Sequence, residues 1–151
     1  MQLHKDLREF VALLDANRVD YVVVGAFAVA YHGYPRYTGD LDILIRPSLE
    51  NGARVVAVLT QFGFGSIGIE AKDLAIENNI VQLGFPPNRI DLITSISGVT
   101  FVEAWETSVQ DDLAGVPARI IGKAALLRNK EAAGRPKDLG DADELRKVDA
   151  K

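Results

Sequence analysis

The chain is predicted to fold as mixed α and β structure, one mixed sheet with helices packed against it. Three observations predict this. Short apolar, β-branched runs recur along the chain, as at residues 21–24, 41–45, 80–83 and 89–93. Stretches with apolar residues at helical spacing separate them. Two of the runs, 80–83 and 89–93, are joined by a turn carrying Pro86, Pro87 and Asn88, which reads as a hairpin.

The elements follow in order. Leu3, Leu7, Phe10, Val11 and Leu14 recur at helical spacing and mark a first amphipathic helix that ends at Asn17-Arg18. Residues 19–24 form the first strand, which Gly25 ends. Residues 26–31 are helix formers, stopped near Gly33 and Pro35. Residues 41–45 form the second strand. Pro47-Ser48 opens a third helix with Ser48 as its cap, Val55, Val56, Leu59 and Phe62 as its core face, and Gly63 as its stop. Gly63, Gly65 and Gly68 make a loose stretch, and residues 73–77 a helical turn. After the hairpin come a turn at Ser97-Gly98, a short helix over 101–106, a strand over 116–121, a helix over 123–133 stopped by Gly134 and Pro136, and a last helix marked by Leu139, Ala142, Leu145 and Val148. Apolar residues on both sides of each strand predict a sheet buried on both faces. Trp105 reads as core, and Asp138 as the cap of the last helix.

At 151 residues, 48% hydrophobic and 25% charged, the chain suits one globular domain spanning residues 1–151. With no cysteine, disulfides and thiolate metal sites are excluded, and His4 and His32 are too far apart in sequence to suggest a histidine metal site. No charged-then-apolar leader and no run of about 20 apolar residues is present, so the expected compartment is the cytoplasm, with no membrane partner. The net charge of −4 argues against bulk nucleic-acid binding. Basic residues crowd the last quarter of the chain, but Glu131, Asp138, Asp141, Asp143 and Glu144 are interleaved, which favours a salt-bridged helical surface.

The chemistry is concentrated at Asp40-Leu41-Asp42. On a strand, side chains alternate, so Asp40 and Asp42 share a face, about 7 Å apart at Cα, while Leu41 and Ile43 point to the core. Two like charges side by side repel unless a cation lies between them. Carboxylate oxygens suit Mg²⁺ (or Mn²⁺), which completes its shell with waters and substrate phosphates. An Asp-X-Asp at a strand start is also a common polar turn. Upstream, a strand, Gly25 and a helix start form a phosphate-binding corner, with Gly25 and Ala26 offering backbone N–H groups. Downstream, Asp91 stands in an apolar strand, where a carboxylate needs a metal or an ion pair with Arg36 or Arg89. Three such carboxylates can hold two metals, one activating the attacking oxygen and one steadying the leaving phosphate. Arg36 and Thr38, in the loop before the strand, are candidate nucleotide-binding residues; the alternatives are that Arg36 pairs with an aspartate and that Thr38 caps or braces the turn. His32 suits a general base by its pKa and, more simply, a structural hydrogen bond.

The run VGAFAVAYHGYPRYTGDLDI, residues 24–43, resembles the nucleotidyltransferase superfamily, and most of all the small bacterial AbiEii/AbiGii toxin nucleotidyltransferases. The C-terminal run NKEAAGRPKDLGD, residues 129–141, is similar to the same group. The resemblance extends from about Val19 to Leu145. It implies a nucleotidyltransferase-like sheet, with Gly25 at the glycine corner, Asp40 and Asp42 as the paired carboxylates, Asp91 as the third, and Lys130 facing the triphosphate. It implies an enzyme that transfers NMP from an NTP to an RNA, such as tRNA, to a protein, or to a small-molecule hydroxyl, as the toxin of a pair with an antitoxin partner. Where that superfamily has Gly-Gly or Gly-Ser, this chain has Gly25-Ala26, so phosphates there rely on backbone N–H groups. Two other readings follow from the residues: a nucleotide-binding or protein-interaction module without turnover, favoured by Ala26, and a glycosyltransferase acting on a nucleotide sugar, which leaves Asp91 without a role.

Overall fold

A computed structural model of the chain describes residues 4–35, 39–85 and 88–149. Helix α1 (Lys5–Ala16) buries Leu7, Phe10, Val11 and Leu14 along one stripe, at the predicted spacing. Leu3 lies outside the described residues. Strand β1 (Tyr21–Val24) is buried throughout and runs straight into α2 (Gly25–Tyr31). Strand β2 (Asp40–Ile45) leads to α3 (Leu49–Gln61), whose start Ser48 caps by accepting from the Asn51 N–H. Two 3₁₀ turns, Gly65–Ile67 and Ala71–Leu74, replace the single turn expected at 73–77. Strands β3 (Ile80–Leu83) and β4 (Arg89–Ile93) pair antiparallel, as the proline-bearing turn predicts. Helix α4 (Phe101–Glu106) is closed at its start by a capping box between Thr100 and Glu103. Strands β5 (Val109–Leu113) and β6 (Val116–Ile120) precede α5 (Lys123–Ala133) and α6 (Pro136–Asp149).

The strands form one six-stranded mixed sheet in the order β3-β4-β2-β1-β6-β5. β1 is antiparallel to β2 and parallel to β6, and β2 is parallel to β4. β1 is packed on both faces, and so is β2 from Ile43 onward, as expected of strands that are apolar on both sides, while Asp40 and Asp42 are half-buried. The expectation of two buried faces fails at the edges. In β3, Ile80 and Gln82 are exposed, and in β5 only Leu113 is fully buried. An edge strand has one neighbour and less cover.

β5 is absent from the sequence reading. Its Gln110-Asp111-Asp112 run is polar and disfavours strands by propensity. A two-residue turn imposes the pairing instead. Ala114 and Gly115 both have positive φ, 49° and 106°, the geometry of the tight hairpin turn, and the Asp112 carboxylate accepts from the Gly115 N–H.

Buried polar groups fix how the helices meet the sheet. The Asn51 side chain accepts from the Asp20 N–H at 2.8 Å and donates to the carbonyls of Asp20 and Arg46, tying α3 to the ends of β1 and β2. Trp105 is half-buried beside the core rather than within it, with the Arg119 guanidinium 3.8 Å from its ring centroid. On its other flank Arg46 lies over Phe101 and pairs with Asp20. Among the described residues no helix is long and apolar enough to cross a membrane.

A candidate carboxylate site at one end of the sheet

Asp42 and Asp91 are direct partners in the parallel ladder between β2 and β4, and Asp40 is the partner of Arg89. Residues abreast on neighbouring strands present side chains to the same face, with the strands about 4.8 Å apart. Three carboxylates remote in sequence are therefore brought together because β2 and β4 run parallel in this register. A slip of one residue would turn Asp91 to the opposite face.

Gly25 closes the third side. Val24 is the β1 partner of Asp42, and Gly25 follows it at φ +69°. A side chain at Gly25 would place its Cβ 2.8 Å from the Asp42 Cγ and collide with the carboxyl. The glycine thus lets the Asp42 carboxyl lie against the chain where strand turns to helix. Helix α2 is two turns long, so its dipole is small, and the close approach of Asp42 is the corner's principal effect.

The three carboxylates raise the cost of one another's charge. Burial pushes the Asp42 carboxyl up to about 6, the neighbouring charges of Asp91 and Asp40 and a hydrogen bond shared with Asp91 push the same way, and the positive field of Lys130 opposes them. Arg89 lies across the other two. Its Nη2 donates to Asp40 Oδ2 at 2.8 Å and to Asp91 Oδ2 at 3.3 Å. Its Nε is 3.1 Å from Asp91 Oδ1, yet neither atom completes a hydrogen bond. The Asp91 side chain is 10% exposed, while Asp40 and Arg89 keep 33% and 28%, so the cluster reaches solvent through these two.

Lys130 has partners that its sequence context does not suggest. Its ammonium is buried, 3.3 Å from Asp138 Oδ1 and 3.1 Å from Asp141 Oδ2. Arg135 donates from Nε to Asp138 Oδ2 at 2.7 Å. Asp138 is therefore the buried counter-ion of two cations within the first turn of α6, and the expectation that it caps this helix is corrected. Asp141 escaped the sequence reading as a buried partner, although its spacing of three from Asp138 puts both on one helix face. His32 is held by a hydrogen bond between its Nε2 and the Ile121 carbonyl at 2.7 Å, the structural alternative of the two weighed for it. Arg36 and Thr38 lie outside the described residues. Much of the basic C-terminal quarter is paired, with Arg128 on Glu103, Arg146 on Glu131 and Asp143, and Lys147 on Glu144.

The donor set is chemically apt for a hard divalent cation: three carboxylates, mutual repulsion, and one buried oxygen that accepts no hydrogen bond. As they stand, no three His, Cys, Asp or Glu side chains among the described residues are arranged to hold a metal ion. The Arg89 guanidinium lies on two of the carboxylates instead.

The mixed sheet and the helices packed on it form a fold shared with a nucleotidyltransferase-like protein of known structure. The chain is similar to the crystal structure of an antigenic nucleotidyltransferase-like protein from Paracoccidioides brasiliensis, with a TM-score of 0.55 over 97% of this chain and 78% of that one, at 15% sequence identity. No family model matches the chain, and no curated protein matches it.

Proposed function

We propose that the protein is a metal-dependent nucleotidyltransferase that moves NMP from an NTP to a hydroxyl on an RNA, such as tRNA, on a protein, or on a small molecule. The observation that carries this reading is the alignment of Asp42 with Asp91, beside Asp40 and against Gly25. The nucleotidyltransferase-like fold supports it. Asp40, Asp42 and Asp91 would hold Mg²⁺ or Mn²⁺, which when bound supplies Lewis-acid stabilisation of phosphate charge and a more acidic acceptor hydroxyl.

The remaining roles belong to the chain. Asp91, nearly buried and with one oxygen that accepts no hydrogen bond, takes the proton of the acceptor hydroxyl as the hydroxyl oxygen attacks the α-phosphorus. Pyrophosphate leaves. Gly25 leaves room for the Asp42 carboxyl against the backbone, and phosphates would meet the N–H groups of Gly25 and Ala26 beside it. Lys130, fixed by Asp138 and Asp141, supplies a positive field that favours ionised Asp42. The runs at 24–43 and 129–141 support the narrower assignment to the AbiEii/AbiGii-like toxins, neutralised by an antitoxin partner.

The test is incubation of the full chain with each radiolabelled NTP, Mg²⁺ or Mn²⁺, and a cellular RNA and protein extract. A labelled macromolecule is expected, and its identity names the acceptor. Ala26 in place of a second glycine or a serine favours one further reading, a nucleotide-binding module without turnover. Calorimetry that shows NTP binding with no pyrophosphate release would establish it.

A further inference from the structure

We propose that Arg89 is the resident counter-cation of the carboxylate site, and that a divalent metal binds by displacing its guanidinium from Asp40 and Asp91. The inference rests on the metal-dependent reading above and adds the residue that regulates loading.

Three observations carry it. Arg89 touches the carboxylates of two different strands at once, Asp40 on β2 and Asp91 on its own strand β4. The register puts it there, because Arg89 is the ladder partner of Asp40 just as Asp91 is the partner of Asp42. The fit is also incomplete. The planar fork satisfies Asp40 well, at 2.8 Å, but leaves both its own Nε and Asp91 Oδ1 buried without a hydrogen bond. A well-matched permanent arginine–carboxylate pair makes two parallel hydrogen bonds. This one does so with neither aspartate, so it neutralises charge without meeting the geometric demand of the Asp91 oxygens. A small cation that accepts oxygens from any direction meets that demand, and the displaced guanidinium has a route outward because the side chain is already partly in solvent.

Competition makes Arg89 a brake on metal binding, opposite in sign to a residue that helps hold the metal. The experiment is a Mn²⁺ titration of the full chain by calorimetry, without nucleotide, on wild type, Arg89→Gln and Arg89→Lys, with the thermal midpoint of each metal-free protein measured alongside. Arg89→Gln is expected to bind Mn²⁺ roughly 5- to 50-fold more tightly than wild type, since the competing charge is gone. Arg89→Lys is expected to fall between, because a single ammonium spans two carboxylates less well than a fork. The metal-free midpoint of Arg89→Gln is expected to fall, and saturating Mn²⁺ to restore it. Arg89→Lys keeps the positive charge, so it tests the competition even if the Gln variant folds poorly. Equal or weaker Mn²⁺ binding by both variants overturns the role of Arg89 and leaves the metal site standing. Folded wild type and variants that all fail to bind Mn²⁺ overturn the metal-dependent reading, and this inference with it.

Discussion

The Asp42 and Asp91 carboxyls stand abreast on parallel strands, and that adjacency is maintained against their repulsion. Replacing Asp42 by Asn removes one charge and keeps the shape. The variant is expected to lose NMP transfer by roughly 10²- to 10³-fold, the scale of removing one preorganised charged group from an active site. Its metal-free thermal midpoint is expected to hold or rise, because a repulsive buried charge is gone. Labelling assays paired with thermal melts check both halves. Full activity in a folded Asp42→Asn protein would sink the mechanism.

The same coupling predicts a pH dependence. Asp42 has a carboxyl raised from 3.8 to about 6 in the folded chain, so it binds a proton more tightly folded than unfolded. Its contribution to stability is fully present below about pH 4 and is lost as pH rises through about 6, a swing on the order of 1–3 kcal/mol. Asp138 has the opposite sign. Burial pushes its carboxyl up, but the hydrogen bond from Arg135 and the charge of Lys130 outweigh burial and hold it below the usual range. Its contribution is present above its ordinary value and lost as pH falls further. Melts of the metal-free protein between pH 3 and 7.5 separate the two windows. Asp42→Asn should flatten the upper one only. Mn²⁺ affinity should rise with pH through the same upper window, since the proton and the metal compete for Asp42.

Gly25→Ala tests the corner. The substitution forces a side chain into a left-handed backbone conformation and onto the Asp42 carboxyl. Strain alone costs about 1–2 kcal/mol, and displacing a packed carboxyl adds to it. A denaturant midpoint lowered by about 2–4 kcal/mol in equivalent stability is expected, with transfer lost in parallel. Recovery of stability in the double variant Gly25→Ala with Asp42→Gly, without recovery of transfer, would show that the collision is with this one side chain.

The parts of the fold legible in the sequence are those where local pattern and tertiary demand agree. The stripe of α1, the strand-glycine-helix run at Gly25 and the hairpin of β3 and β4 all carry their signal within a dozen residues. β5 was not legible, because its polar residues say loop and only its partner β6 makes it a strand. At the site, Asp40, Asp42 and Asp91 could be singled out because charge is out of place in apolar strands. Their juxtaposition could not, since it depends on the parallel pairing of β2 with β4, strands separated by more than forty residues. Asp138 and Asp141 were misread or missed for a related reason. In a run as polar as residues 134–149, nothing local distinguishes a buried aspartate from a solvated one.

That buried cluster yields the last prediction. Lys130, Asp138 and Asp141 are all nearly inaccessible, and each of the two aspartates lies within 3.3 Å of the ammonium. Taking charges out of water is costly, and the cost is offset only while partners remain. Lys130→Met would take the ammonium away from two buried carboxylates, and Asp138 would keep only Arg135 of its two cations. A loss of about 3–5 kcal/mol is expected, the range for breaking a buried pair from one side. The triple variant Lys130→Met, Asp138→Asn, Asp141→Asn carries no buried charge in the cluster and should recover most of that loss. Stability and function then part company. If the ammonium serves only to hold α5 against α6, the triple variant regains transfer as it regains stability. If its field is needed to keep Asp42 ionised, the triple variant folds but transfers NMP slowly near neutral pH, and the rate climbs as pH is raised. A pH–rate profile of that variant against wild type decides between them, with an upward-shifted acidic limb expected.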